Sequence, residues 1–361
     1  MENKTFQRDG SPCRVPIAGH GLFLRAKRHD NLRRTSRAEE HRLLLRGRGG
    51  VTYCALLCVV ILLSFAAVPV SAESPHTVTV SMRPSKGART VVAVMLNGAG
   101  PYDFMVDTGA TVTVLDTALF HELGLRVEGS SRVTSSAGVT DQMRSVVKEI
   151  ALDCLSTQNI AVVSMKSPVA GSDDRAVRGL LGENFLRHFD ILFDNQHRKL
   201  TLDAVADLAD SLAGEHLPIT FPHLSRDDEN RYRPMISVKV EASGQAIVVL
   251  DSAATELILL RQGSQLKGFG DTRVTTVNGW LTCESTRGRV FLGKGTVSDL
   301  PMVSCQGASV KANESEAFLP TSIFKRIFIS HTGSYAIINP AKRSSARAEL
   351  ASVTPRDEPP L

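Results

Sequence analysis

The sequence predicts an all-β protein of two duplicated lobes. Three observations carry that expectation: a gapless repeat around two aspartates, strand-type patterning in both copies, and further matched blocks downstream in the same order. Residues 91–115, VVAVMLNGAGPYDFMVDTGATVTVL, align with residues 235–259, MISVKVEASGQAIVVLDSAATELIL. Val94/Val238, Gly100/Gly244, Asp107/Asp251, Ala110/Ala254 and Thr111/Thr255 are identical, at a constant spacing of 144 residues. Downstream, Arg132-Val133-Thr134 matches Arg273-Val274-Thr275 and Val163-Ser164 matches Val303-Ser304. The segment from Gly179 to Leu186 then matches Ala317 to Phe324.

Within the first copy, Val91 to Leu96 and Tyr102 to Val106 are apolar, β-branched runs joined by Asn97-Gly98-Ala99-Gly100, a hairpin-type link. Asp107 therefore sits where a buried strand gives way to a turn. Thr117 to Leu123 has apolar residues three and four apart and is closed by Gly124, which predicts a short helix. A second hairpin follows, with arms at Arg132–Thr134 and Val146–Leu152 and a small, polar tip from Ser135 to Asp141. A tip with so little to bury is suited to covering a cleft.

Two aspartates set alike in two copies of one unit point to paired-carboxylate chemistry. Carboxylates held a few Å apart cannot both ionise comfortably, so they share a proton and titrate as a pair. One can then activate a water while its protonated partner hydrogen-bonds the scissile carbonyl. Such a reaction requires neither a metal nor another cofactor, and none is expected.

The Asp107-Thr108-Gly109-Ala110-Thr111 motif behind an apolar strand, the flap-like hairpin, and Gly179-Leu180-Leu181-Gly182 before Phe185-Leu186 resemble the retropepsin-like aspartic proteases. The tandem arrangement resembles the two-lobed, pepsin-like bacterial members of that superfamily, over roughly residues 78 to 340. The resemblance implies a bilobal acid-protease fold with a central cleft, catalytic Asp107 and Asp251, and a peptide or protein substrate. It also implies that the hydroxyls of Thr108 and Ser252 lock the two active loops together. Gly109 would give the backbone room beside the carboxylates.

The second copy departs from the pattern. Ala253 stands where Gly109 stands in the first, and Ala317 and Pro320 replace Gly179 and Gly182. A pseudo-copy without a catalytic Asp251 is therefore one alternative, leaving a peptide-binding module. Another is a homodimer using only the first motif. The monomer is expected because one chain already carries both halves. The flap candidates are Gly138 in the first hairpin and Trp280 in the second, where the tryptophan would either cover substrate or pack on its own lobe.

Other chemistries find no support. The ten histidines show no metal-ligand spacing and the six cysteines no paired Cys-x-x-Cys, so no metal site is expected. Neither a Gly-rich phosphate loop nor a Gly-x-Ser-x-Gly elbow appears in strand-turn-helix context.

Residues 1–50 carry 12 Lys and Arg against 5 Asp and Glu, a charge of +7 in a chain whose total is +5, so the remainder is −2. The basic character belongs to that leader, expected to be disordered, and a nucleic-acid partner is not expected. Residues 51–72 are almost uncharged and end Val70-Ser71-Ala72, which reads as a secretory signal or a membrane anchor. In either case the repeats lie outside the cytoplasm, in the periplasm or beyond, with membrane association through 51–72 in the anchored form. The lobes are expected at 75–202 and 234–340, with a polar connection at 203–233 and a disordered tail at 341–361. Cys154, Cys283 and Cys305 follow residue 72, and Cys283 with Cys305 is the pair to test for a disulfide, against three buried thiols.

Overall fold

A computed structural model describes residues 15–17, 76–84, 89–166, 177–221, 232–241, 244–260, 270–276, 279–305 and 316–343. The chain divides into two units, of which His20–Ser74 lies outside the described residues. So do the 51–72 segment, the charge run at 226–229 and the tail beyond 343. In the basic leader the described residues are Val15–Ile17, a strand parallel to Leu155–Thr157.

The first copy contains β1 (Thr77–Ser81), β2 (Thr90–Leu96), β3 (Ala99–Val106), β4 (Thr113–Asp116), α1 (Thr117–Glu122), β5 (Gly129–Ser135), β6 (Gly138–Leu152), β7 (Leu155–Met165), β8 (Val177–Leu181), α2 (Glu183–Leu186), β9 (Asp190–Asp194) and β10 (Lys199–Asp203). The second contains β11 (His216–Pro218), β12 (Met235–Val240), β13 (Gly244–Asp251), β14 (Leu257–Leu260), β15 (Gly270–Thr276), β16 (Gly279–Leu292), β17 (Gly295–Cys305), β18 (Glu316–Pro320), β19 (Arg326–Ser330) and β20 (Tyr335–Ile338). Each strand of the first copy has its counterpart ten numbers later.

Both copies have one topology. In the first, β2, β3, β8, β4, β7 and β6 are successive neighbours, and β6 pairs back onto β2 to close the sheet. In the second, β12, β13, β18, β14, β17 and β16 repeat that order, with β16 returning to β12. β8 runs parallel to β3 and antiparallel to β4, and β18 does the same between β13 and β14. Each lobe therefore threads a late strand between two early ones, at the end of which its aspartate emerges.

A six-stranded antiparallel sheet joins the lobes in the order β11-β20-β19-β9-β10-β1. At its centre Leu192 pairs with Phe328, with Ile191 opposite Ile329 and Phe193 opposite Ile327. The order reads the same from both ends, so an approximate two-fold axis passes through that central pair. Ile191, Phe193, Ile327 and Ile329 are fully buried in a single core that also holds Val92, Phe104, Leu181, Val248 and Leu319. The all-β, bilobal fold expected from the sequence is thus observed.

The structure refines several sequence expectations. The 97–100 link is a two-residue turn at Asn97-Gly98, both at positive φ (51° and 80°), so β3 starts at Ala99. The long hairpin turns tightly at Ser136-Ala137, and the polar tip expected over 135–141 is mostly paired strand, because ladder hydrogen bonds hold it while Val133 and Ala137 pack against neighbouring apolar clusters. The 203–233 connection holds a short helix, Asp207–Asp210, and β11, elements too brief for hydrophobic period to reveal. Ala341–Lys342, read as tail, pair with Leu212–Ala213. Cys283 and Cys305 are disulfide-bonded across the β16–β17 register, and Cys154 lies outside that bond, half-buried.

Candidate active site

Each aspartate follows a strand that has just left the core. Phe104, Met105 and Val106 precede Asp107, and Val248, Val249 and Leu250 precede Asp251, all six apolar side chains being buried. The chain then folds back on its own carboxylate. The N–H groups of Gly109 and Ala110 donate to Asp107 Oδ1 at 3.0 Å each, and those of Ala253 and Ala254 donate to Asp251 Oδ1 at 2.7 and 3.0 Å. The two loops present their carboxylates in the same way, although one follows Asp with Thr-Gly and the other with Ser-Ala.

The loops are interlocked. Thr108 Oγ1 donates to the carbonyl of Leu250 at 2.6 Å, and Ser252 Oγ donates to the carbonyl of Val106 at 2.7 Å. In return the Ser252 N–H donates to Thr108 Oγ1 at 3.0 Å and the Thr108 N–H to Ser252 Oγ at 3.1 Å. Both side chains are buried, so six polar groups that would each be costly to orphan satisfy one another in four hydrogen bonds across the lobe boundary. A methyl built on Gly109 would fall 2.6 Å from Cγ and Oδ2 of Asp251. The glycine is therefore required by the opposite aspartate, which places the two carboxyl groups beside each other.

Electrostatics separates the pair. Asp107 is pushed up to about 8 by burial, then by the neighbouring Asp251 charge, against the pull of the Gly109 and Ala110 N–H groups, with Glu183 adding a further upward push. Asp251 is also raised by burial, but the N–H groups of Ala253 and Ala254 and the guanidinium groups of Arg233 and Arg89 act against that rise. Arg89 reaches from the first lobe to donate Nε–H to the Ala253 carbonyl at 3.2 Å.

The departures in the second copy are matched by changes around them. A methyl on Gly179 would strike the Phe104 ring and the Val114 carbonyl, both at 2.3 Å. At the position of Phe104 the second copy has Val248, so the ring that obstructs a side chain is gone where Ala317 stands. Gly182 donates its N–H to Thr113 Oγ1 at 3.2 Å. The second copy has Leu257 in place of Thr113 and Pro320 in place of Gly182, so an acceptor and a donor disappear together. The methyl of Ala253 packs at the edge of a first-lobe cluster containing Val91, Met105 and Val114.

Both copies carry a hairpin beyond the loops. Gly138 lies at the β5–β6 turn with φ 147°. The neighbouring Ala137 packs against the second hairpin's cluster of Val274, Leu281 and Cys283, so the two hairpins meet. Trp280 pairs with Thr275 on β15 and is 64% exposed, with the Arg273 guanidinium 5.5 Å from its ring centroid. Its ring contacts its own hairpin through Arg273 and is otherwise mostly exposed. Its counterpart Val139 is 52% exposed, so each flap presents an apolar side chain just past its turn.

Four charged residues near the two aspartates did not figure among the sequence candidates: Arg89, Arg233, Glu183 and His331. The arginines were legible in principle, since each stands 18 residues before its aspartate. Glu183 follows the second glycine of Gly179–Gly182, and His331 carries no local signal. Among the described residues no cluster of His, Cys, Asp or Glu is arranged to hold a metal ion.

Residues 92–185 match a family model described as aspartyl protease. That segment includes the first aspartate loop, the first flap and the Gly179–Phe185 block, and ends before the second copy. Among solved structures the chain is similar to a retropepsin-like aspartic protease from Rickettsia conorii, at 18% identity and a TM-score of 0.27, over 35% of this chain and 90% of that one. A search of curated proteins returned no match. The similarity to aspartyl proteases thus rests on residues 92–185.

Proposed function

We propose that this protein is an aspartic endopeptidase, a tandem two-lobed member of the retropepsin-like superfamily that hydrolyses peptide bonds with Asp107 and Asp251. The observation that carries this reading is the reciprocal Thr108–Ser252 interlock, which holds two equivalently hydrogen-bonded aspartate loops face to face. Thr108, Gly109, Ser252 and Ala253 support the loops, and the Val139 and Trp280 flaps cover an extended peptide. Because one chain supplies both loops, it acts as a monomer.

The charge distribution divides the work. Arg89 and Arg233 favour the ionised form of Asp251, while Glu183 and the Asp251 charge favour the protonated form of Asp107. Asp251 then takes a proton from a water lying between the carboxyls, as Asp107 donates its hydrogen bond to the scissile carbonyl. Water adds to the carbonyl carbon as the Asp107 proton passes to the carbonyl oxygen, giving a tetrahedral diol. The proton held by Asp251 passes to the amide nitrogen as the C–N bond breaks, a diol hydroxyl gives its proton to Asp107 as the C=O re-forms, and both carboxyls return to their starting state. Activity requires Asp107 to keep its proton, so it extends to neutral pH and declines above about 8.

We place the substrate outside the cytoplasm, on the strength of the basic leader and the apolar 51–72 segment. The test is cleavage of a mixed peptide library from acidic to neutral pH by the purified protein, by Asp107→Asn and by Asp251→Asn. Both variants are expected to fold and to lose cleavage. Full activity in Asp251→Asn would remove the intramolecular dyad.

A further inference from the structure

Behind the Asp107 loop lies a buried ion pair that the reaction does not consume. Glu183 is the first residue of α2, fully buried, and His331 follows β19 in the other lobe. His331 Nε2 stands 2.9 Å from Glu183 Oε2, and His331 Nδ1 stands 2.7 Å from the carbonyl of Phe189. A carbonyl only accepts, so Nδ1 carries a hydrogen. A second proton must then lie between Nε2 and the carboxyl, making an imidazolium with a carboxylate or an imidazole with a carboxylic acid. Either way the pair holds one shared proton. The other oxygen, Glu183 Oε1, is buried with no hydrogen-bond partner.

The backbone beside this carboxyl reaches the active loop. Glu183 donates its N–H to the Ala110 carbonyl at 2.8 Å, and Asn184 donates to the Thr111 carbonyl at 3.2 Å. Ala110 in turn donates to Asp107. One short segment therefore grips the aspartate loop with its backbone and the opposite lobe with its side chain.

The duplication provides an internal control. The positions of Glu183 and His331 correspond to Thr321 and Asn195 in the other copy. There Asn195 Nδ2 donates to the carbonyls of Thr321 and Phe324 at 3.0 Å each. The same joint, between one lobe's sheet turn and the other's short helix, is closed by a neutral amide. The fold does not need a charged pair at this place. The charged version stands behind Asp107 and the neutral one behind Asp251.

We propose that Glu183 and His331 are a positioning pair for the dyad, a clasp across the lobe boundary that fixes the Asp107 loop and biases the shared proton toward Asp107. This rests on the aspartic endopeptidase reading. The bias arises because Glu183, as the carboxylate of the pair, is a negative charge in a water-poor setting whose backbone holds the Asp107 loop, and it pushes Asp107 toward its protonated form. Asp190 is the other acidic group facing His331. Its carboxylate already accepts from Ser330 Oγ and the Thr332 N–H, and the Phe221 ring covers the imidazole at 5.9 Å. His331 is held charged to higher pH than an exposed histidine: burial opposes this, but Glu183, the Phe189 carbonyl and Asp190 outweigh it.

The test compares the full chain with Glu183→Gln and with the double variant Glu183→Thr, His331→Asn, which installs the other copy's neutral solution. Both are expected to fold and cleave, with the alkaline limb of the kcat profile moved to lower pH by roughly one unit. An unmoved limb in a folded variant, or a shift to higher pH, would overturn the proposal, since a purely structural joint changes stability alone. Two readouts do not depend on turnover. Carboxyl 13C NMR of Asp107 should show the same downward shift even if no peptide is cleaved. In the unaltered protein, 15N NMR should find His331 Nδ1 protonated throughout, and its loss of the shared proton only above the usual histidine range. A His331 that titrates like an exposed histidine would also overturn the pair.

Discussion

At the scale of single residues, the second loop raises one question, which is what the methyl of Ala253 does. Asp251 Oδ1 receives two backbone donors just as Asp107 does, so the methyl has not displaced the carboxylate. Ala253→Gly is therefore expected to keep activity within about threefold, with a small loss of stability, roughly 0.5–1 kcal/mol, from the freer unfolded chain. A large loss of activity would mean that packing of Ala253 against the first lobe sets the loop geometry. Asp107 gives a second prediction. Its folded value of about 8 lies above the ordinary 3.8, so the folded state keeps a proton that the unfolded chain releases in between. Stability then falls as pH rises from about 4 to 8, by up to about 1.4 kcal/mol per pH unit. Asp107→Asn removes that loss. It should melt higher than the parent at pH 7, and the gap should close toward pH 4 in a series of thermal melts. A variant that melts lower than the parent at pH 7 would show that the site stabilises an ionised Asp107.

Elements explain both what the sequence disclosed and what it withheld. The central strands were legible because β2–β3 and β12–β13 carry apolar, β-branched runs, and the loops were legible because Asp, hydroxyl and small residues repeat at one spacing. The inter-lobe sheet was not. β1, β9, β10, β11, β19 and β20 are three to five residues long, and β11 is only His216-Leu217-Pro218, so period-2 patterning has no length in which to emerge. Their pairing is set by which chain ends the two lobes bring together. The Glu183–His331 contact was hidden for the same reason, since 148 residues separate its members. The disulfide belongs to this scale too. It ties β16 to β17 at the root of the second flap, closing a loop of 22 residues. The double variant Cys283→Ala, Cys305→Ala should lose about 3 kcal/mol in urea denaturation. It should also show faster amide exchange in β15–β16 than in β5–β6. Equal stability with and without the bond would mean that the register of Leu281, Val274 and Val303 alone holds that hairpin.

On the scale of the whole molecule, the lobes are two in topology but one in packing. The core runs through the central sheet, where Ile191 and Phe193 of one copy face Ile327 and Ile329 of the other, and the buried Thr108–Ser252 exchange ties the loops at a second place. Neither lobe can open without exposing apolar surface and orphaning buried polar groups in its partner. Ile327→Ala, a change in the second lobe alone, should therefore destabilise both. A loss of about 2–5 kcal/mol is expected for a fully buried isoleucine, in one cooperative unfolding transition. Amide hydrogen exchange gives the sharper reading, because Val106 and Thr108 lie in the first lobe, far along the chain from residue 327. If the lobes unfold together, protection at those amides should fall by the same free energy as protection in β13 and β14. Two resolved transitions, with Val106 and Thr108 still protected at the parent level, would mean that the lobes are separate folding units and that the interlock forms only after each is complete.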